Sequence, residues 1–151
     1  MASFARNIAT GFGLGHLRGP QGTWASAVAL APGAALLALS PWALAAGAAV
    51  ACVAGLWAVR QVNAKDDPGW VVVDEIAGQW IALLPLGAVS WQGLLMAFLL
   101  FRLADITKPG PIARIDRRRD AIGVMGDDIA AGALAAAVLW GTLHLLPGLA
   151  P

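Results

Sequence analysis

The chain has 151 residues, of which 59% are hydrophobic and only 13% charged, with a formal net charge of +1. A soluble domain carries roughly a quarter of its residues as charges, and a disordered one needs low hydrophobicity with high charge; both classes are excluded. The near-neutral balance supplies no basic field for nucleic acid, so residues 1–151 read as one integral membrane domain.

The first residues, MASFARNIATGFGLG, hold no continuous apolar run of the kind that marks a secretory signal. The glycine-rich stretch GFGLGHLRGPQGTWAS follows and reads as a flexible loop before the first span. Backbone amides around Gly22 and Thr23 can approach a phosphate closely there, and Thr23 is a candidate helix N-cap.

Three tracts carry no charge at all: Gly19–Val59, Ile76–Phe101 and Ile129–Pro151. A spanning helix takes roughly 20 apolar residues. The first tract breaks at Ser40-Pro41 and gives spans near Trp24–Leu39 and Pro41–Val59. The lone Cys52 lies in the second of these and can form neither an intramolecular disulfide nor a thiolate metal cluster. The middle tract is long for one crossing and short for two. A single crossing would put the basic residues from Arg102 to Arg119 on the side opposite Arg6, Arg18, Arg60 and Lys65. A turn near Pro85–Ser90 keeps every Lys and Arg on one side, as the positive-inside rule asks. The hairpin then has helices near Val71–Val89 and Trp91–Lys108, and a last helix, Ile129–Leu146, is opened by Asp127 and Asp128. The expected fold is an all-α integral membrane bundle of about five helices, with a re-entrant hairpin and four spans or fewer as its variant. Trp24, Trp42, Trp57, Trp70 and Trp91 fall near span ends, where indoles favour the headgroup layer; Trp80 and Trp140 read as packing residues.

This topology gathers Asp74, Glu75, Asp105, Asp127 and Asp128 at one depth near the cytoplasmic interface. Ionisable groups at membrane depth cost roughly 2.5–3.5 kcal/mol each on insertion scales. Five acids together need either protonation or a cation. Oxygen ligands, with no Cys and no suitable His pair, point to Mg²⁺ or Mn²⁺ rather than Zn²⁺; His16 and His144 lie far apart and are not expected to be catalytic. The plainer reading is that acids at helix N-termini complement the helix dipole. Arg102, Asp105 and Lys108 lie close to one helical face, where a cation beside carboxylates can clamp a phosphate. An intrahelical ion pair plus a membrane anchor is the competing reading there, and Arg117–Arg119 read as an anchor or an attractor of anionic lipid.

Three blocks carry a family resemblance: DPGWVVVDEIAGQWIAL (Asp67–Leu83), FRLADITKPGPI (Phe101–Ile112) and GVMGDDIAAG (Gly123–Gly132). In order and spacing they resemble phosphatidylglycerophosphatase A, a Mg²⁺-dependent bacterial inner-membrane enzyme that dephosphorylates phosphatidylglycerophosphate. The resemblance implies a multi-pass protein with its active site facing the cytoplasm, a phospholipid substrate and no obligate protein partner. It implies Asp74, Glu75, Asp105, Asp127 and Asp128 as the acidic catalytic set, with Asp74, Glu75, Asp127 and Asp128 on the metal and Lys108 on the phosphate. Arg102, Gly22 and Thr23 join Lys108 as substrate-binding candidates. Asp67 and Asp116 match acids of the pattern without an assigned role. The family's P-G-T-x-G-S-like element stands here as Gln21-Gly22-Thr23-Trp24-Ala25-Ser26, with Gln for Pro and Ala for the second Gly.

Other functions fit the composition. A small cation transporter or channel subunit would use the acids as an ion site, but such sites lie near the midplane between repeated halves, and no repeat is present. A lipid headgroup transferase expects a nucleotide-activated donor site, and a noncatalytic assembly subunit leaves the acids unexplained. Between direct attack by water and an aspartyl-phosphate intermediate, the sequence leaves both routes open.

Overall fold

A computed structural model describes residues 2–64 and 67–145; Lys65, Asp66 and the expected helix end at Leu146 lie outside the described residues. Within them the chain is helical and contains no strand. Seven α-helices follow in order: α1 (Ala2–Ala9), α2 (Gln21–Leu39), α3 (Pro41–Gln61), α4 (Val73–Leu83), α5 (Trp91–Thr107), α6 (Pro111–Asp116) and α7 (Ala121–Leu145). Three of them, α2, α3 and α7, are long and apolar enough to cross a membrane, at 19, 21 and 25 residues.

The helix boundaries follow local chemistry. Ser40 caps α3 by accepting from the Ala43 amide at 2.9 Å, and Pro41 opens the helix at the position where its missing N–H is harmless. Ser90 caps α5 in the same way through Gly93. The hairpin turns between α4 and α5 as expected, but its first arm ends at Leu83 and not at Val89. Pro85 comes two residues later; Leu84 before it keeps helical dihedrals, but the ring and missing N–H of Pro85 cannot continue the hydrogen-bond ladder. At 11 residues α4 reaches only about half the hydrocarbon thickness.

Two further expectations change. The stretch 11–26 expected as a flexible loop is only partly one, since Leu14–His16 form a 3-10 turn and α2 begins at Gln21; ahead of it α1 buries Ala5 and Ala9, and the Ala9 carbonyl accepts from the Val72 amide at 2.9 Å. Arg6 lies 5.1 Å from the centre of the Trp70 ring, and Gly15 sits against the Trp70 carbonyl with no room for a Cβ. The segment thereby braces the loop that leads into α4. Trp140 is not a packing residue: it is 55% exposed, near the far end of α7, stacked on His144. Trp80 does pack, donating from Nε1 to the Ala29 carbonyl at 2.9 Å in the turn of α2 that Pro32 loosens.

Short α4 is the hub, touching α2, α3, α5 and α7. Its crossing with α7 is backbone on backbone. A Cβ on Gly78 would come within 2.6 Å of the Asp128 carbonyl, and one on Gly132 would overlap the Gly78 carbonyl. In lipid such small-residue contacts supply the van der Waals packing that apolar burial does not. Phe101, Leu83, Leu86 and Leu139 fill the layer on one side of this crossing, and Val59, Val71, Val73 and Met125 fill the layer on the other.

Candidate active site

Asp74 and Glu75 form the first turn of α4, whose N-cap, Val72, offers no side-chain partner. The free amides there favour carboxylates, and Asp74 Oδ1 accepts from the Glu75 amide at 3.1 Å. Because α4 is surrounded, Asp74 is 2% exposed. Across the glycine crossing, Asp127 and Asp128 are 3% and 4% exposed. They do not open their helix as expected. α7 begins at Ala121, where the Asp120 carboxylate accepts from the Gly123 amide at 2.9 Å, so the pair sits in the second turn. The helix dipole falls off within the first turn and does not account for them.

The third contribution comes from the end of α5. Arg102 Nη1 lies 2.5 Å from Asp105 Oδ2 and 3.5 Å from Ser26 Oγ on α2. Lys108 closes the helix in left-handed conformation, at φ 43° and ψ 58°. Its ammonium pairs with Asp127 Oδ2 at 2.6 Å and also with Asp116, the last residue of α6. These helix ends assemble two groups of carboxylates. One oxygen each from Asp74, Glu75 and Asp128 lie within 4.8 Å of one another, as do oxygens from Asp105, Asp127 and Asp128. Asp128 belongs to both.

All five predicted acids therefore meet. Arg102 and Lys108 also reach the site, but each is already held by a carboxylate. Gly22, in the first turn of α2, lies against Glu75 and Arg102, and a Cβ there would overlap Glu75 Oε1. Thr23 is half-buried in that turn and is not the N-cap, since α2 starts at Gln21 behind Pro20; it makes no side-chain hydrogen bond among the described residues.

Sequence reasoning missed Gln79 and left Ser26 and Asp67, both inside the motifs, without a role. Ser26, one turn beyond Gly22, donates to the Gly22 carbonyl at 2.6 Å and faces Arg102. Gln79, one turn beyond Glu75, is fully buried with both amide atoms unpartnered; a polar residue in an otherwise uncharged tract was its only signal. Asp67 precedes α4 in left-handed conformation (φ 44°). Although its surface is exposed, its carboxyl is raised to about 6, first by desolvation and then by Asp127, against an opposing effect of Lys108. For Lys108 burial pulls the ammonium down, but its bonds to Asp116 and Asp127 more than offset this and hold it above the ordinary lysine range.

The donors fit a hard divalent cation. They are all oxygens, with the spacing of a shared coordination sphere, and both Glu75 Oε2 and Asp127 Oδ1 are buried with no hydrogen-bond partner. Buried polar atoms without partners call for an occupant.

Comparison with known proteins agrees with the motifs. A family model described as Phosphatidylglycerophosphatase A matches residues 7–143. The chain is 36% identical to phosphatidylglycerophosphatase A of Escherichia coli, across 93% of this chain and 84% of the relative. It is 34% identical to the protein of that name from Haemophilus influenzae, across 88% and 85%. A relative from Bacteroides thetaiotaomicron, provisionally named a phosphatidylinositol-3-phosphatase, is 36% identical across 83% and 84%. No solved structure matches the chain.

Proposed function

The chain belongs to the phosphatidylglycerophosphatase A family and dephosphorylates phosphatidylglycerophosphate to phosphatidylglycerol, and we propose that it does so with Mg²⁺ at the cytoplasmic face of the bacterial inner membrane. The observation that carries the cation is the pair of carboxylate triads sharing Asp128. Asp74, Glu75 and Asp128 would hold one ion, and Asp105, Asp127 and Asp128 a second. An ion bound there would supply Lewis-acid polarisation of the phosphate and stabilise charge in the in-line displacement.

The chain's own residues do the rest. Arg102 and Lys108 offset negative charge on the phosphate oxygens. The first turn of α2, where Gly22 lies against Glu75 and Arg102, has free amides that suit an anion. Asp67 stands at the exposed edge, where desolvation and Asp127 raise its carboxyl to about 6 in the metal-free chain. The diacylglycerol part stays in the leaflet beside the apolar faces of α2 and α5, where Trp24, Val28, Leu99 and Leu103 are exposed. The cytoplasmic placement rests on the basic residues, since Arg18, Arg60, Lys108, Arg114 and Arg117 all lie at the end of the bundle that carries the acids.

Phosphate release from phosphatidylglycerophosphate by the purified protein in detergent, with Mg²⁺ and with EDTA, tests the proposal. Release that EDTA stops and Mg²⁺ restores is expected. Release unaffected by EDTA overturns the metal assignment.

A further inference from the structure

The two triads differ in what neutralises them. Among the described residues no Lys or Arg lies within ion-pair distance of Asp74, Glu75 or Asp128, whereas Asp105 is held by Arg102 and Asp127 by Lys108. Asp127 is divided: Oδ2 accepts from Lys108, and Oδ1 is buried without a partner. The same ammonium meets Asp116, which belongs to neither triad and has a side chain 38% exposed. Asp116 is fixed in place because α6 packs on α7, with Ile112 buried and Ile115 against Gly126, the residue before Asp127.

We propose that Lys108 is the resident cation of the second triad: its ammonium neutralises Asp127 until a divalent ion enters, and Asp116 then keeps it at the mouth of the site. The inference rests on the metal-centre reading above. A buried carboxylate stripped of its only cation is strongly disfavoured, so the metal-free protein needs Lys108 on Asp127. A divalent ion bound by Asp105, Asp127 and Asp128 removes that need and repels the ammonium. Transfer requires no swing across the site, because Nζ already touches both carboxylates and has only to give up one. Lys108 then sits on the exposed side, where a phosphate arrives. The order of loading follows: the triad without an internal cation fills first and tightly, the Lys108-guarded triad second and more weakly.

A Mn²⁺ titration of the solubilised protein, followed by the electron paramagnetic resonance signal of free Mn²⁺, reads this directly without turnover. The wild type is expected to bind one ion tightly and a second less tightly. Lys108→Met removes the competitor and is expected to tighten the second ion about tenfold, even though phosphatase activity falls. Asp116→Asn leaves the ammonium no place to go and weakens the second ion by a similar factor. Should Lys108→Met fail to fold, Lys108→Gln is read the same way. Unchanged or weaker binding after loss of the lysine overturns the displacement, as a merely structural Lys108 requires. Unchanged binding in Asp116→Asn overturns the acceptor role. A wild type that binds no Mn²⁺ strikes the metal-centre reading instead, and so separates the two failures.

Discussion

The two halves of the acidic centre solve the same electrostatic problem in opposite ways. Around Asp105 and Asp127 the chain brings its own cations, Arg102 and Lys108, from the C-terminal half and C-cap of α5. Around Asp74 and Glu75 it brings none among the described residues and relies on the free amides at the start of α4. Buried charge must be compensated by something. On the proposed reading, the half without cations takes an ion from outside the chain, and the half with cations exchanges one of its own. Asp128 joins the two, so neither can be emptied without effect on the other.

Removing that joint breaks the comparison altogether. Asp128→Asn is expected to lower kcat by at least about 10³-fold, the upper range for loss of one electrostatic stabiliser, and to abolish binding of both Mn²⁺ ions in the same titration. A variant that keeps one tight ion would mean that the halves are independent.

A smaller effect is expected from crowding one half alone. Gly22→Ala places a Cβ where Glu75 Oε1 now sits. Glu75 must move, and a displacement of about 1 Å at a catalytic group costs on the order of 10²-fold in kcat/KM. The tight ion should weaken markedly more than the Lys108-guarded ion. Equal weakening of both ions would show that α2 supports the whole centre.

The smallest effect belongs to pH and sharpens the contrast at the rim. Asp67 has a folded-state value of about 6, above the unfolded value of about 3.9. Its protonated form is therefore favoured by folding, so its contribution to stability is fully present below about pH 4 and is lost as pH rises through about 6. In the metal-free protein, thermal stability should decline modestly across that window, and Asp67→Asn should flatten the decline. Cation binding favours the ionised carboxylate, so Mg²⁺ should flatten it too. A profile unchanged by the substitution would remove Asp67 from the site.

Much of this was readable along the chain. Uncharged tracts set the apolar helices, Ser40-Pro41 set the first turn, and the three motif blocks named the five acids and the family. Where the reading slipped, the reasons are local and physical. α4 ends six residues before Val89, just ahead of Pro85, whose ring and missing N–H cannot extend the ladder there, although α2 carries Pro32 within it. Asp120 caps α7 and moves its start back to Ala121, which takes Asp127 and Asp128 off the helix end. The bracing segment Ala2–Gly15 gave no apolar run, since α1 is short and gains its place by packing Ala5 and Ala9 on its neighbours.

By itself the sequence determined that the protein is helical with helices apolar and long enough to cross a membrane, which helix ends carry charge, and which chemistry those charges suit. Composition and spacing are local properties, and apolar length and ionisable side chains register in them directly. Only the tertiary structure decided how the acids divide: Asp128 in both triads, Lys108 bridging Asp127 and Asp116, and Glu75 lodged against Gly22. Those relations depend on the depth at which Gly78 and Gly132 let two backbones cross. A shift of one helical turn at that crossing, about 5.4 Å, would exceed the 4.8 Å within which each trio of carboxylate oxygens lies.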